Sequence, residues 1–141
     1  MPTKQQRKDF DMTVYNDVLL AVIQLAEQTS PYASIVIGPL PPDNGISIAW
    51  STGQLETHWD KRAAVTMQAV LNGKNSNAQT VADALNLIHT TLSMATAYPE
   101  AENYQITNIS TNSPPCYIGR EENNQWLYGS SLTVKFYLKG S

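Results

Sequence analysis

The sequence predicts an α+β fold, a two-layer sandwich in which two helices cover one face of a mostly antiparallel sheet of about five strands. Three observations lead there. From Ser131 on, Leu132, Val134, Phe136 and Leu138 alternate with Thr133, Lys135, Tyr137 and Lys139, the period of a half-buried strand. Two segments, beginning near Val14 and Ala78, repeat apolar residues at helical spacing. The apolar runs between them are short and separated by turn-forming residues, so strands connect as hairpins and run antiparallel.

The first helix is expected over 14–28. Val14, Val18, Val22 and Leu25 form its stripe, and Leu19 and Ile23 widen it. Thr13 or Asp11 can cap it, and Ser30-Pro31 stops it. Residues 1–10 are polar and charged and read as a frayed, flexible end of a single domain spanning 1–141.

Ser34 to Gly38 is a short apolar run of strand length, followed by the stiff Pro39-Leu40-Pro41-Pro42 and the turn Asp43-Asn44-Gly45. Ile46, Ile48 and Trp50 alternate with Ser47, Ala49 and Ser51 as a second strand. Ser51 to Arg62 reads as a long polar loop in which Leu55 and Trp59 follow no period. Ala64 to Leu71 is the third strand, and Asn72 to Asn75 reads as a turn. Ser76 and Gln79 match a capping box before a helix whose stripe is Ala78, Val81, Ala82, Leu85, Ile88 and Leu92. Tyr104 to Ser110 is rich in β-formers. Pro114 and Pro115 lack the donor a ladder needs, so Ser113 to Glu121 belongs at a sheet edge or in a surface loop.

The chain has 141 residues, enough for a core without disulfides or metals. Charged residues make up only 15%, against the roughly 25% usual for soluble domains. Low charge fits either a surface meant for contact or a neutral soluble one. The net charge is −3 and no basic block extends beyond Lys4 to Lys8, which argues against sequence-independent nucleic-acid binding. Cys116 is the single cysteine, so no internal disulfide marks an oxidising compartment. No apolar signal core or membrane-length run is present, and a soluble intracellular protein is the default.

Chemistry-bearing residues are sparse. Glu56, His58 and Asp60 stand at alternate positions, but a solvated polar loop explains them better than a metal site. His89 reads as a boundary residue of the second helix, and Cys116 as a small packing residue with no base in view. No phosphate loop or carboxylate pair stands out. No catalytic, cofactor-binding or metal-ligating residue is therefore assigned, and an enzyme is not expected. The loop is a different matter. It is longer than a hairpin needs, its charges nearly cancel, and it carries large apolar residues, so Leu55, Glu56, Trp59 and Asp60 are expected at an intermolecular contact. Arg120 to Gln125 reads as a solvated hairpin tip, with Trp126 and Tyr128 beside it as core edge or interface anchors.

In order and spacing, several stretches resemble the minor capsid and tail-terminator (tail-completion) proteins of siphophages infecting Gram-positive bacteria. They are Gly38-Pro39-Leu40-Pro41-Pro42 with Ile46 to Ala49, then Leu71-Asn72-Gly73-Lys74-Asn75, then Ala84 to His89, Ser113 to Glu121 and Trp126 to Leu132. The resemblance covers most of the chain after about residue 14 and includes no single sharp motif. It implies a structural virion protein without catalytic residues or cofactors. Such a protein forms a ring, usually of six copies, that caps the tail tube, stops its polymerisation and presents the surface for head joining. The implied partners are copies of the chain, the tail-tube protein and a head-completion or connector protein. Neither a membrane nor specific nucleic-acid binding is implied. The implied location is the tail or neck of the virion, after assembly in the host cytoplasm. Another neck or head-completion protein is the alternative, and an unrelated small binding domain or enzyme is a third reading. A neighbouring gene for a major tail protein would separate the first two from the last.

Overall fold

A computed structural model describes residues 13–57 and 63–139. In chain order it contains α1 (Thr13–Glu27), β1 (Ile35–Ile37), β2 (Ile46–Thr57), β3 (Ala63–Asn75), α2 (Ala78–Ser93), β4 (Tyr104–Arg120) and β5 (Trp126–Leu138). The strands form one sheet of order β1-β2-β3-β5-β4. Only the β1–β2 pair is parallel. The protein is thus the α+β sandwich that the alternation and the two amphipathic stripes predict.

The core lies between the helices and one face of the sheet. Val18, Val22, Val81, Leu85, Ile88 and Leu92 from the helices meet Ile46, Leu71, Leu132, Val134 and Phe136 from the strands. The register predicted for β5 holds, with Leu132, Val134 and Phe136 buried, Leu138 half-buried and Lys135 exposed on the other face. Gly73 lets α2 approach β3: a Cβ there would meet Val81 Cγ2 at 2.8 Å. Phe136 sits among aromatic rings, edge-on to Tyr15 at 5.9 Å and stacked near Trp50 at 6.3 Å. Trp50 in turn donates from Nε1 to Tyr15 O at 3.1 Å, tying α1 to β2.

Four boundaries differ from expectation, the three strand boundaries for a common reason. Ser51–Thr57 continues β2 instead of opening a loop, because β3 pairs with it down to Thr57↔Ala63. Asn72–Asn75 is strand and not turn, because β5 pairs with it through Asn75↔Trp126. Ser113–Arg120 extends β4 beyond Ser110, irregularly paired to β5, and Pro114 and Pro115 lie on the sheet's outer strand, the edge placement expected of them. The cap of α2 is Asn77, not Ser76, and its side chain accepts from Gln79 N at 2.9 Å and Thr80 N at 3.1 Å. In the strand cases, polar residues without a visible period are held extended by neighbours far away in sequence.

Candidate interaction surface

One end of the sheet is knitted by polar groups from four separate segments. Asn44, at φ 41°, donates its backbone N–H to Gln125 Oε1 at 2.7 Å. Its side-chain Oδ1 accepts from Ser76 N at 3.0 Å. Asn123 Nδ2 donates to Pro42 O at 3.2 Å and Asp43 Oδ1 at 2.9 Å. Tyr32 Oη lies 2.9 Å from Gly45 O and 2.8 Å from Lys74 O, and burial pushes its phenol well above the usual range. Lys74 is buried, and its Nζ reaches Glu121 Oε1 at 2.8 Å. The β4–β5 turn is therefore docked onto the Pro42–Gly45 turn through Asn123 and Gln125, while Arg120, Glu122, Asn123 and Asn124 stay exposed as a hairpin tip would. Apart from the turn signal at Asp43-Asn44-Gly45, nothing in the sequence pairs these segments, because their partners lie up to 81 residues apart.

On this frame stands an exposed apolar rim. Tyr117 is 54% and Ile118 58% exposed. Tyr117 packs against Trp126 and Tyr128 at centroid distances of 5.9 and 5.8 Å. Arg120 lies over the Trp126 ring at 5.3 Å and reaches Asn124 Oδ1. Ile118 leans over Gly129, where a Cβ would meet Ile118 Cδ1 at 2.5 Å. Between them runs an open groove of about 300 Å³, lined by Val70, Asn72, Pro114, Cys116 and Ile118 among others. Cys116 is exposed and does not pack as a small core residue; its sulfur lies 3.3 Å from Pro114 O. Trp126 is half-buried against the core, the core-edge place considered for it, and its ring also packs on Tyr117. Of the stretches that carry the resemblance, Gly38–Pro42, Leu71–Asn75, Ser113–Glu121 and Trp126–Leu132 all contribute to this end of the sheet.

The expected contact residues Leu55 and Glu56 lie on β2, in register with Val65 and Ala64, at the opposite end of the sheet from the rim. Trp59 and Asp60 lie outside the described residues, as does His58, so the reading of Glu56, His58 and Asp60 falls outside them too. Among the described residues no three His, Cys, Asp or Glu side chains cluster as a metal site would require, and no helix is long and apolar enough to cross a membrane.

His89 is buried, not at a boundary. Its Nδ1 lies 2.8 Å from Thr111 Oγ1, while Nε2 has no partner. Burial holds its pKa below the ordinary histidine value near 6.5. The unfolded chain therefore takes up the proton first as pH falls. The stability that the neutral ring allows is complete above about pH 6.5 and is lost as pH drops through the folded pKa, with a slope of at most about 1.4 kcal/mol per pH unit. Urea unfolding at pH 7.5 and pH 5 should show this loss, and His89→Gln should flatten it.

A scan against protein-family models and a search of curated proteins each found no match.

Proposed function

We propose that this chain is a structural virion protein that caps a siphophage tail tube as a ring, ends tube polymerisation and offers the surface for head joining. The order and spacing of the resembling stretches carry this reading. It is supported by their position: most of them lie at one rigid, apolar-rimmed end of the sheet, away from the centre of the core. A rim of Tyr117, Ile118 and half-buried Trp126, held by Lys74–Glu121 and the amide contacts of Asn123 and Gln125, suits a lasting protein contact. The tail-tube protein or the head-side connector would be the partner at this end. The strip around Leu55, Glu56, Trp59 and Asp60 would face a second copy or the tube. No cofactor, membrane or nucleic-acid contact enters the reading. The test deletes the gene from the phage that encodes it and images the particles. Tails longer than the parent's and heads left unjoined are expected; joined tails of parental length would overturn the proposal.

A further inference from the structure

We infer that copies of this chain join head to tail through their sheet edges, with the Trp50–Gln54 edge of β2 pairing antiparallel to the Asn108–Asn112 edge of β4 of the next copy. The inference specifies how the proposed ring would be built, but it stands on the sheet alone.

Among the described residues both edges lack a partner strand over the same stretch, and within it the one backbone group of β4 met by a side chain is Ile109 O, which Tyr98 Oη reaches at 3.4 Å. β1 covers β2 only at Ile46, Ser47 and Ile48, so the outer side of β2 is unpaired from Ala49 onward among the described residues. The outer side of β4 is covered at one end, where Ile106 N donates to Pro99 O at 3.1 Å, Ala101 N donates to Tyr104 O at 2.8 Å, and Lys139 holds Glu100 at 2.7 Å. At the other end Pro114 and Pro115 remove the donors. Between these limits lies the window from Asn108 to Ser113. Open backbone groups on an edge are a template for another strand, and proteins usually guard them with charge. Neither window contains a charged residue.

The two windows also lie level. Gln54 is in register with Thr66, Lys135 and Asn108, and Thr52 with Gln68, Thr133 and Ser110. Trp50 is in register with Ala69, Leu132 and Thr111. An edge contact that joins β4 to the next β2 at this level moves across the strands with little shift along them. Such a step is compatible with a closed ring when the rotation per copy divides a full turn, whereas a stagger would climb into a helix. The polarity agrees: β2, β3, β5 and β4 alternate in direction, so copies in the same orientation bring β4 against β2 antiparallel.

The blocked regions complement each other as well. In the level arrangement Ser113 would reach the neighbour's Ala49, and Cys116 its Ser47. Ser47 is already paired with β1, so an incoming strand must leave the edge between those two positions. Pro114 and Pro115 occupy that interval. Likewise the cover on β4 from 99 to 101 keeps the neighbour from pairing at Leu55 to Thr57, and confines the contact to Trp50–Gln54. Each window contains one register shift at the same end, at Ser51 and at Asn112, and β4 shifts again at Thr107, just beyond the window's other end. A two-fold pairing of β2 with β2 would leave the β4 window open, which is why the head-to-tail contact is favoured.

Oxidative cross-linking tests this. Within one chain three strand spacings, about 14 Å, separate Thr52 from Ser110, too far for a disulfide. In the level pairing they face each other across the seam. In a Cys116→Ser background at millimolar concentration, the Thr52→Cys/Ser110→Cys variant treated with copper phenanthroline should give a ladder of covalent multimers. Each single-cysteine variant should give monomer, with at most a trace of dimer. A strong Thr52→Cys dimer would mean two-fold β2 pairing and would overturn the head-to-tail contact, and so would a folded double variant that stays monomeric. A ladder combined with normal tails in the gene-deletion phage would keep the contact and reject the tail role.

Discussion

Replacing Phe136 with Ala should lower the unfolding free energy by about 3–5 kcal/mol. Phe136 is 1% exposed and is held on β5 between Tyr15 of α1 and Trp50 of β2. The loss has two parts: the transfer energy of a whole aromatic side chain and the cavity left behind. That cavity cannot collapse easily, because its walls are a paired strand and a helix fixed by the Trp50–Tyr15 hydrogen bond. Urea denaturation followed by tryptophan fluorescence should show the midpoint fall with the slope nearly unchanged. Lys135→Ala, one residue away on the exposed face, should change stability by less than about 0.5 kcal/mol. Equal losses at the two positions would mean that the register of β5 is wrong.

Removing the carboxylate from Glu121 should cost more than removing the ammonium from Lys74. The side chains of Lys74 and Glu121 are 8% and 39% exposed. In Glu121→Gln the lysine stays buried, with only a neutral partner for a charge that has lost its hydration. A loss of about 2–3 kcal/mol is expected, below the range for fully buried pairs because water reaches the glutamate side. In Lys74→Met the stem is replaced by a side chain of similar shape, and the freed carboxylate can turn to solvent. That loss should be under about 1.5 kcal/mol. The double variant should recover most of the Glu121→Gln loss, which a thermodynamic cycle from denaturation midpoints would measure. If Glu121→Gln is neutral, the pair does not hold the β4–β5 turn in place, and the rim of Tyr117 and Ile118 rests on the amide contacts alone.

The sandwich was legible wherever a residue's periodicity answers to one buried face. Leu132, Val134 and Phe136 alternate because one side of β5 is dry, and Val81, Leu85, Ile88 and Leu92 recur because one side of α2 is dry. Both patterns are local records of burial, so the sequence by itself determined two helices, about five strands and their order along the chain. Where both faces of a strand meet water, the record is absent. Ser51 to Gln54 and Asn112 to Pro114 are exposed whichever way they point, and they looked like loops. Their strand state comes from hydrogen bonds to β3 and β5, which no neighbouring residue encodes.

The candidate surface shows the same division. Its apolar members, Tyr117, Ile118 and Trp126, could be noticed as aromatic or aliphatic residues beside polar ones. The sequence could not show that Gln125 is buried against Asn44, or that Lys74 reaches Glu121 from the far end of β3. It read those stretches as turns and a solvated tip, since Asn, Gln, Lys and Glu carry no sign of their own burial. Tertiary structure alone decided which edges of the sheet stay open and at what level they lie. Edge exposure belongs to strand order, and strand order is set by which apolar faces the two helices can cover at once.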